Sequence, residues 1–310
     1  MNGEHMLIKK SFEDNKSDFS CPVCDENVRN ILYIYHHQNE EYRIYECPSC
    51  GFLFARPVFL HTLKERQMDS VDDAELFGNS FLKKLYETAI LKKEIYYTRK
   101  ILGKGRLSLL DIGCGTGWTT HFWKNSGFAT TGLEPSEIRG NVARERYGLK
   151  IISDYIENLN LDETFDVIIL RQVIEHLESP GNMLERAKSF LRKGGIVVVV
   201  VPNINCIGRY VFGTKWTWVI PFHCNFFSPD TLRKLACKAG FDVLKTYQTP
   251  SPLWYPESFL RLFPDGNHLT KRIYHRLSSL SLIPFAPLVM LGYLLRLSDN
   301  ITLIGRAKTD

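Results

Sequence analysis

From residue 107 onward the chain alternates short apolar segments with segments of helical pattern. The apolar segments are predicted strands, at Leu107 to Asp111, Ala129 to Leu133, Lys150 to Ser153, Phe165 to Leu170, Ile196 to Val201, Phe241 to Tyr247 and Asn300 to Ala307. The fifth segment is an unbroken apolar run, IVVVVV, which is typical of a strand buried on both faces. Strands that alternate with helices form a parallel sheet covered by helices on both sides. The sequence therefore predicts an α/β fold.

The first of these strands runs directly into a glycine-rich turn, DIGCGTG, and then into a predicted helix from Trp118 to Ser126. Ligands of such sheets bind at the carboxyl ends of the strands, and glycines let the backbone approach a ligand closely. Asp111, Gly113, Gly115 and Gly117 are therefore candidate ligand-binding residues. The Asp111 carboxylate suits a cationic amine better than a phosphate. No Lys-Ser or Lys-Thr follows Gly117, so the turn does not match a P-loop.

The second strand ends in Gly132-Leu133-Glu134, seventeen residues beyond Gly117. An acidic side chain at this place can accept hydrogen bonds from both hydroxyls of a ribose. The alternative is an exposed surface glutamate at a strand end. We expect the ribose of a nucleoside cofactor at Glu134.

These residues resemble the class I S-adenosylmethionine-dependent methyltransferases. The resemblance covers residues 80–250 and the final strand. It is carried by DIGCGTG, by Glu134, by FDVIILRQVIEHL from Phe165 and by LRKGG from Leu191. It implies a Rossmann-like, mostly parallel sheet of seven strands, the last antiparallel, and S-adenosyl-L-methionine as cofactor. It also implies that Asp154 or Tyr155 lies near the adenine and that Arg171 or Gln172 lies near the methionine end.

Two CxxC pairs, separated by 22 residues, precede this domain. Two such pairs can direct four thiolates at one tetrahedral Zn²⁺ ion. Cys21, Cys24, Cys47 and Cys50 are therefore predicted to hold a structural zinc in an N-terminal zinc ribbon, whose hairpin turns at His36 to Glu41. The alternative is four unrelated buried cysteines. Without paired spacing, Cys206, Cys224 and Cys237 are predicted to be ordinary buried thiols.

An aromatic-rich segment with one histidine, WTWVIPFHCNFFS from Trp216, follows the fifth strand and precedes a helix predicted from Ser228-Pro229-Asp230. An imidazole here can accept a hydroxyl proton, so His223 is a candidate catalytic base; a histidine bonded only to backbone is the alternative. The segment resembles that of zinc-ribbon sugar C-methyltransferases and of related methyltransferases from bacterial surface-polysaccharide clusters. In the sugar C-methyltransferases a glutamate precedes the histidine. Phe222 stands there instead, which favours transfer to oxygen. The adjacent Glu175 and His176 could suggest a metal site, but we expect a structural role for His176, at the start of the helix beside the cleft.

The sequence is also similar, more distantly, to the O-methyltransferases of ubiquinone biosynthesis. The leading hypothesis is O-methylation of a small or lipid-linked hydroxylated acceptor, which is a sugar, a polysaccharide precursor or a quinone-like compound. A zinc-ribbon RNA methyltransferase and a non-catalytic cofactor-binding scaffold are the alternatives. Residues 1–60 hold six basic and nine acidic residues, and this net negative charge disfavours binding to RNA. No nucleic-acid partner is therefore expected. The first twenty residues carry no secretory signal pattern, so we expect a cytoplasmic protein.

The predicted organisation is a zinc ribbon at 18–58, a helical linker at 59–106, a methyltransferase domain at 107–250 and 298–310, and an apolar, basic helical insertion at 251–297. The insertion holds nineteen residues without formal charge, from Leu277 to Leu295, interrupted by Pro284 and Pro287. Two hypotheses remain for this insertion. It packs as an extra helical layer of the fold, or residues 258–297 make a peripheral contact with the cytoplasmic membrane face.

Overall fold

The computed structural model describes residues 6–7, 12–13, 19–37, 40–58, 81–220, 222–263 and 280–308. Its strands are β1 (Met6–Leu7), β2 (Phe12–Glu13), β3 (Phe19–Ser20), β4 (Asn27–Val28), β5 (Asn30–His37), β6 (Glu40–Glu46), β7 (Leu53–Arg56), β8 (Ser108–Ile112), β9 (Ala129–Leu133), β10 (Lys150–Ile152), β11 (Phe165–Arg171), β12 (Leu191–Pro202), β13 (Asn225–Phe226), β14 (Phe241–Thr249) and β15 (Asn300–Ala307). Its α-helices are α1 (Phe81–Leu102), α2 (Trp118–Asn125), α3 (Glu137–Tyr147), α4 (Pro180–Ser189), α5 (Ile207–Phe212), α6 (Pro229–Lys238), α7 (Tyr255–Leu260) and α8 (Ala286–Leu294).

The larger sheet has seven strands in the order β10-β9-β8-β11-β12-β15-β14. Only β15 runs antiparallel to its neighbours, β12 and β14, while the other pairs are parallel. The strand order reverses between β8 and β11, so a crevice opens there at the carboxyl ends of the strands. The predicted α/β fold with a seven-stranded, mostly parallel sheet is confirmed.

The core lies on both faces of this sheet, because alternate side chains of each strand point to opposite sides. Along β12, Val197, Val199 and Val201 join one apolar cluster, whereas Ile196 and Val198 join the other. All are buried, which is why the segment reads as a continuous apolar run. Helices therefore cover both faces.

Helix α6 begins as its sequence predicts. The Ser228 hydroxyl accepts a hydrogen bond from the Thr231 amide at 3.2 Å, and the Thr231 hydroxyl accepts one from the Ser228 amide at 2.9 Å. Pro229 occupies the first turn, where its missing N–H costs nothing. Gly240 follows the helix at a φ of +84° and leads into β14. The cap residue Ser228, five positions after His223, fixes the start of α6.

The cysteine-rich region forms a second, antiparallel sheet with the order β1-β5-β6-β7-β13. Its last strand, β13, comes from the segment directly after His223 and pairs with β7. Phe52 contacts Phe227 with ring centroids 5.1 Å apart, and both residues belong to the main apolar cluster. The ribbon sheet is thus joined to the larger domain by backbone pairing and by shared core. The turn predicted between β5 and β6 lies partly outside the described residues.

The predicted linker at 59–106 is described only from Phe81, where α1 begins, and residues 59–80 lie outside the described part. Within the predicted insertion, the structure describes α7, a 3₁₀ helix at Leu280–Phe285 and α8. Phe285, Leu288 and Val289 pack against a cluster that contains buried Trp216 and Tyr255. In the described ranges, no helix has the length and apolarity needed to cross a bilayer.

The three cysteines predicted to be ordinary buried thiols differ in their surroundings. Cys206 and Cys224 are buried, as predicted. Cys237 is exposed, so the prediction of a buried thiol there is wrong. The buried face of α6 is formed by Leu232, Leu235 and Ala236, and the position after Ala236 turns away from it.

Candidate active site

The glycine-rich turn lies at the carboxyl end of β8, beside the crevice. Its three glycines all have positive φ, +71° at Gly113, +55° at Gly115 and +83° at Gly117. A Cβ on Gly117 would lie 2.7 Å from the side chains of Ala143 and Leu149, so this glycine is required for packing. A Cβ on Gly115 would meet nothing within 4 Å. The turn therefore leaves open space at its middle glycine.

Glu134 is held in place by two backbone amides. One carboxylate oxygen, Oε2, accepts from the Gly115 amide at 2.8 Å, and the other, Oε1, accepts from the Ser136 amide at 3.0 Å. Each oxygen has a second lone pair for another donor. The carboxylate is thus fixed next to the turn, with capacity left for two hydroxyl groups.

A cavity of about 290 Å³ opens at this point of the sheet. It is lined by Ile112, Gly113, Leu133, Glu134, Pro135, Arg139, Asp154, Tyr155, Ile156, Glu157, Gln172, Val173, His176, Leu177, Met183 and Phe222. Of the residues predicted to bind cofactor, Gly113, Glu134, Asp154 and Tyr155 line this cleft directly. Tyr155 is 45% exposed, which leaves its ring accessible to a ligand. The cleft therefore brings together residues that follow four different strands.

Gln172 is a cleft residue whose backbone has a positive φ of 55°. A non-glycine residue in this region is strained, and such residues cluster at functional sites. Its side-chain Nε2 donates to Asn300 Oδ1 at 3.4 Å, whereas its buried Oε1 has no partner among the described residues. An unpartnered buried oxygen in a cleft wall fits a ligand that donates hydrogen bonds, such as the ammonium group of an amino acid.

Asp111 lies beneath the turn and is not one of the residues that line this cleft. Its Oδ2 accepts hydrogen bonds from the hydroxyls of Thr120 at 2.6 Å and Thr119 at 3.3 Å. Burial raises the pKa of Asp111 to about 6, although these hydrogen bonds oppose the shift. In this structure the carboxylate anchors the first turn of α2; its contact with cofactor stays a prediction.

Arg171, predicted near the methionine end of the cofactor, forms an ion pair with Glu94 of α1. Glu94 is fully buried, and burial raises its pKa despite the neighbouring guanidinium. Removing one partner of such a pair leaves an uncompensated buried charge. The structure therefore gives Arg171 a partner that ties α1 to the end of β11, and its role towards cofactor stays a prediction.

Two histidines and a glutamate meet at the far side of the cleft. The rings of His176 and His223 are in edge-to-face contact with centroids 4.7 Å apart. Nδ1 of His176 lies 3.0 Å from the Phe222 carbonyl, and Nδ1 of His223 lies 2.8 Å from the Trp218 carbonyl. Because a carbonyl only accepts, both Nδ1 atoms must carry the proton, which leaves the Nε2 lone pairs available.

Burial sets the protonation of this group. It lowers the pKa of His176 to about 4 and the pKa of His223 well below its usual value, so both rings are neutral at pH 7. It raises the pKa of Glu175 to about 8. His176 borders the cleft, whereas His223 is 2% exposed and lies behind it. The structure thus places His176 on the cleft wall, and the structural role expected for it stays a prediction.

The four predicted zinc ligands lie together. The sulfurs of Cys21 and Cys50 are 3.6 Å apart, and those of Cys24 and Cys47 are 3.5 Å apart. A tetrahedral ion with Zn–S bonds of about 2.3 Å places its sulfurs about 3.8 Å from one another, so the four thiols fit zinc. The second knuckle closes through a hydrogen bond from the Gly51 amide to the Cys47 carbonyl, with Gly51 at a φ of +71°.

Comparison with known proteins agrees with this architecture. A family model described as a methyltransferase domain matches residues 80–246. An uncharacterised protein of Methanocaldococcus jannaschii is 31% identical over 162 residues, which are 52% of this chain and 76% of that protein. The ubiquinone biosynthesis O-methyltransferase of Cereibacter sphaeroides is 32% identical over 151 residues, which are 44% of this chain and 60% of that enzyme.

Two solved structures share the fold at low identity. Magnesium protoporphyrin IX methyltransferase from Synechocystis, with bound S-adenosylhomocysteine, superposes with a TM-score of 0.54 at 13% identity and covers 81% of this chain and 100% of its own. A Burkholderia thailandensis 1,6-didemethyltoxoflavin-N1-methyltransferase gives 0.51 at 13% identity, with 88% and 99% covered. The family model itself spans more than half of the chain. The chain therefore belongs to the methyltransferase domain family.

Proposed function

We propose that the enzyme methylates a hydroxyl oxygen of a small or lipid-linked acceptor. The observation that carries this proposal is the cleft itself, which extends from Glu134, Asp154 and Tyr155 at one end to His176 and Phe222 at the other. The relatives named as ubiquinone biosynthesis O-methyltransferases support transfer to oxygen. The chain spans between 40% and 64% of the length of these relatives, so the acceptor is a matter for experiment.

S-adenosylmethionine, when bound, supplies a methyl group on a sulfonium that is already activated. The residues of the chain then have to bind, orient and deprotonate. We assign the ribose hydroxyls to Glu134, whose two oxygens are fixed by the amides of Gly115 and Ser136. We assign the cofactor's ammonium group to the unpartnered Oε1 of Gln172. Asp154 and Tyr155 line the same cleft and would contact the adenine.

At the other end of the cleft, His176 and His223 would act on the acceptor's hydroxyl group. Transfer forms an O–CH₃ bond as the S–CH₃ bond breaks, the C–S electron pair stays on sulfur, and the hydroxyl proton leaves. A neutral imidazole with a free Nε2 can accept that proton directly. It can also hold a further group that lowers the pKa of the acceptor's hydroxyl. His176 faces the acceptor space, while His223, the base predicted from the sequence, contacts it through the His176 ring.

Substitution of the two histidines tests this assignment. We expect His176→Gln and His223→Gln to lower kcat about a hundredfold or more, as is typical when an acid–base group is lost. Affinity for S-adenosylmethionine should stay within about threefold, because neither side chain belongs to the cofactor end. His121→Gln is the matched control, since that histidine lies on α2, bonds to Asn125 and is not a cleft residue.

The assay follows S-adenosylhomocysteine formation with a panel of phenolic, sugar and lipid-linked hydroxyl acceptors. Mass spectrometry and NMR of the product then locate the new methyl group. A methyl group on nitrogen or carbon, or wild-type kcat in both cleft variants, would contradict the proposal.

We further propose that the ribbon binds one structural zinc ion and helps to form the acceptor end of the cleft. Strand β13, which starts two residues after His223, hydrogen-bonds to β7 of the ribbon. Arg56 of β7 also donates to the Glu178 carbonyl at 3.1 Å, close to His176 in the chain. Both contacts place the ribbon next to the segments that carry the two histidines.

A lipid-linked acceptor is favoured by the apolar surface of the C-terminal helical segment. Ile283, Met290, Tyr293, Leu294 and Leu295 are all more than half exposed. Residues 258–297 carry five basic residues and one acidic residue. Exposed apolar side chains in a basic segment suit the surface of an anionic bilayer, where each cation adds about 1 kcal/mol. We propose that this segment makes a peripheral contact with the membrane.

Flotation with vesicles tests the membrane contact. Wild-type protein should float with phosphatidylglycerol-containing vesicles at low salt and less with neutral phosphatidylcholine vesicles. Leu294→Ser combined with Leu295→Ser should reduce the floating fraction several-fold, since both side chains are exposed and their loss costs little folding stability. Leu244→Ser, an exposed leucine on β14, is the control. Equal recovery of all three proteins in the soluble fraction would show that the segment only completes the fold.

A further inference from the structure

The carboxylate of Glu175 is completely buried and has no hydrogen-bond partner on either oxygen within the described part of the chain. Buried carboxylates are ordinarily paired or hydrogen-bonded, because an isolated one costs several kcal/mol. Neighbouring groups do not remove the deficit, since the Cys224 amide donates to the backbone carbonyl of Glu175 and not to its side chain. Both side-chain oxygens of Glu175 are therefore available to a ligand.

The groups beside this carboxylate are the two imidazoles. One ligand atom each from Glu175, His176 and His223 lies within 4.8 Å of the other two. The Nδ1 atoms are used by the carbonyls of Phe222 and Trp218, so each ring offers its Nε2 lone pair. Metal-bound histidines typically donate their other nitrogen to a carbonyl or carboxylate, which fixes the ring and its tautomer. Both rings already have this arrangement.

We propose that Glu175, His176 and His223 bind one divalent first-row transition-metal cation at the acceptor end of the cleft. Two imidazole nitrogens and one carboxylate are a ligand set of this class of ion, and a site with only three protein ligands leaves coordination positions open. His176 borders the cleft and the other two ligands lie behind it, so the open positions face the acceptor space. The ion would be separate from the ribbon zinc, which has four sulfur ligands.

Such an ion gives the two histidines a shared role in the proposed O-methylation, on which this part of the inference rests. An acceptor hydroxyl bound to the ion has a lowered pKa and loses its proton to water in the cleft before its oxygen accepts the methyl group. An ion with more than one open position would favour acceptors with two neighbouring oxygens, such as catechols, vicinal diols or hydroxyketones. Phe222 lines the same space and would contact the apolar part of the acceptor.

Metal binding can be measured without cofactor or acceptor, so the result does not depend on methyl transfer. The full chain, purified with its ribbon zinc, is titrated with Mn²⁺ and followed by calorimetry and electron paramagnetic resonance. Mn²⁺ is chosen because it prefers nitrogen and oxygen ligands to thiolates. We expect one Mn²⁺ per chain and hyperfine coupling to the nitrogens of two imidazoles.

Glu175→Gln should weaken Mn²⁺ binding at least tenfold, because an amide is a poorer ligand of the same shape. Glu178→Gln, an exposed neighbour three residues further along, is the matched control and should bind as the wild type does. S-adenosylmethionine affinity within about threefold of wild type shows that each variant is folded. If Glu175→Gln does not fold, the imidazole couplings of the wild-type protein decide whether the two histidines bind the ion.

Absence of Mn²⁺ binding at millimolar concentration, coupling to no imidazole, or equal affinity in Glu175→Gln would overturn the site. Metal binding at these residues combined with methylation of carbon or nitrogen would instead leave the site standing and refute the O-methyl proposal. Normal O-methylation by protein that binds no second metal would refute the metal site and leave the O-methyl proposal standing.

Discussion

The Gly115→Val substitution is expected to abolish S-adenosylmethionine binding while the protein still folds. A Cβ on Gly115 would meet no protein atom within 4 Å, so the added side chain projects into the space that the turn leaves open. The Gly115 amide bonds to the Glu134 carboxylate in the cleft, and we expect the cofactor to occupy that space. We expect an affinity loss of a hundredfold or more, about 2.8 kcal/mol. Isothermal titration calorimetry with S-adenosylmethionine measures it.

The chain contains a matched control for this substitution. Gly148, which ends α3, has a φ of +58°, close to the +55° of Gly115, and its Cβ would also meet nothing within 4 Å. A side chain in this left-handed region costs about 1–2 kcal/mol at either position. Both variants should therefore show a similar decrease in Tm, but only Gly115→Val should lose cofactor. Equal cofactor affinity in the two variants would mean that the glycine-rich turn does not hold the cofactor.

Cys47→Ser is expected to release the zinc ion and to unfold the ribbon. A structural zinc site contributes on the order of 10 kcal/mol to the folding of a small domain, which is more than the ribbon's limited core can replace. The loss should reach the methyltransferase domain, because β7 pairs with β13 and Phe52 packs on Phe227. We expect zinc content to fall from one per chain to nearly zero, with faster proteolysis of residues 19–58.

Cys237→Ser provides the comparison, since Cys237 is an exposed thiol on α6 and is not one of the four sulfurs that lie together in the ribbon. It should retain zinc, Tm and cofactor affinity. Plasma emission spectrometry of protein purified without chelators gives the zinc content, and limited proteolysis shows whether the ribbon is folded. Wild-type protein without zinc, or full zinc content after Cys47→Ser, would contradict the assignment of these four cysteines.

The sequence determines the elements whose signal is local. The IVVVVV run, the glycine-rich turn and the Ser228-Pro229 cap each depend on residues close together in the chain, so their strands, turn and helix start lie where the pattern predicts. The spacing of the two CxxC pairs likewise brings four sulfurs together, because a knuckle is made by a few consecutive residues. Periodicity and turn chemistry are short-range, and so is the information they carry.

Only the tertiary structure decides which distant side chains meet. From its sequence, Arg171 is predicted to lie near the cofactor at the end of a strand. In the structure it bonds to Glu94 of α1, which lies 77 residues earlier in the chain. The expectation of a buried thiol at Cys237 failed for a related reason, since the side of α6 that is covered depends on what packs against it.

The same is true of the acceptor end. His176 and His223 are 47 positions apart, and nothing in either local sequence indicates that their rings meet beside the Glu175 carboxylate. The two segments are joined by hydrogen bonds from the Cys224 amide to the Glu175 carbonyl at 2.9 Å and from the Asn225 side chain to the Ile174 carbonyl at 3.1 Å. Strand β13, which contains Asn225, also pairs with β7 of the ribbon. The local sequence supplies the chemical groups, whereas the topology of two sheets sets the distances between them, and those distances determine what the groups can bind.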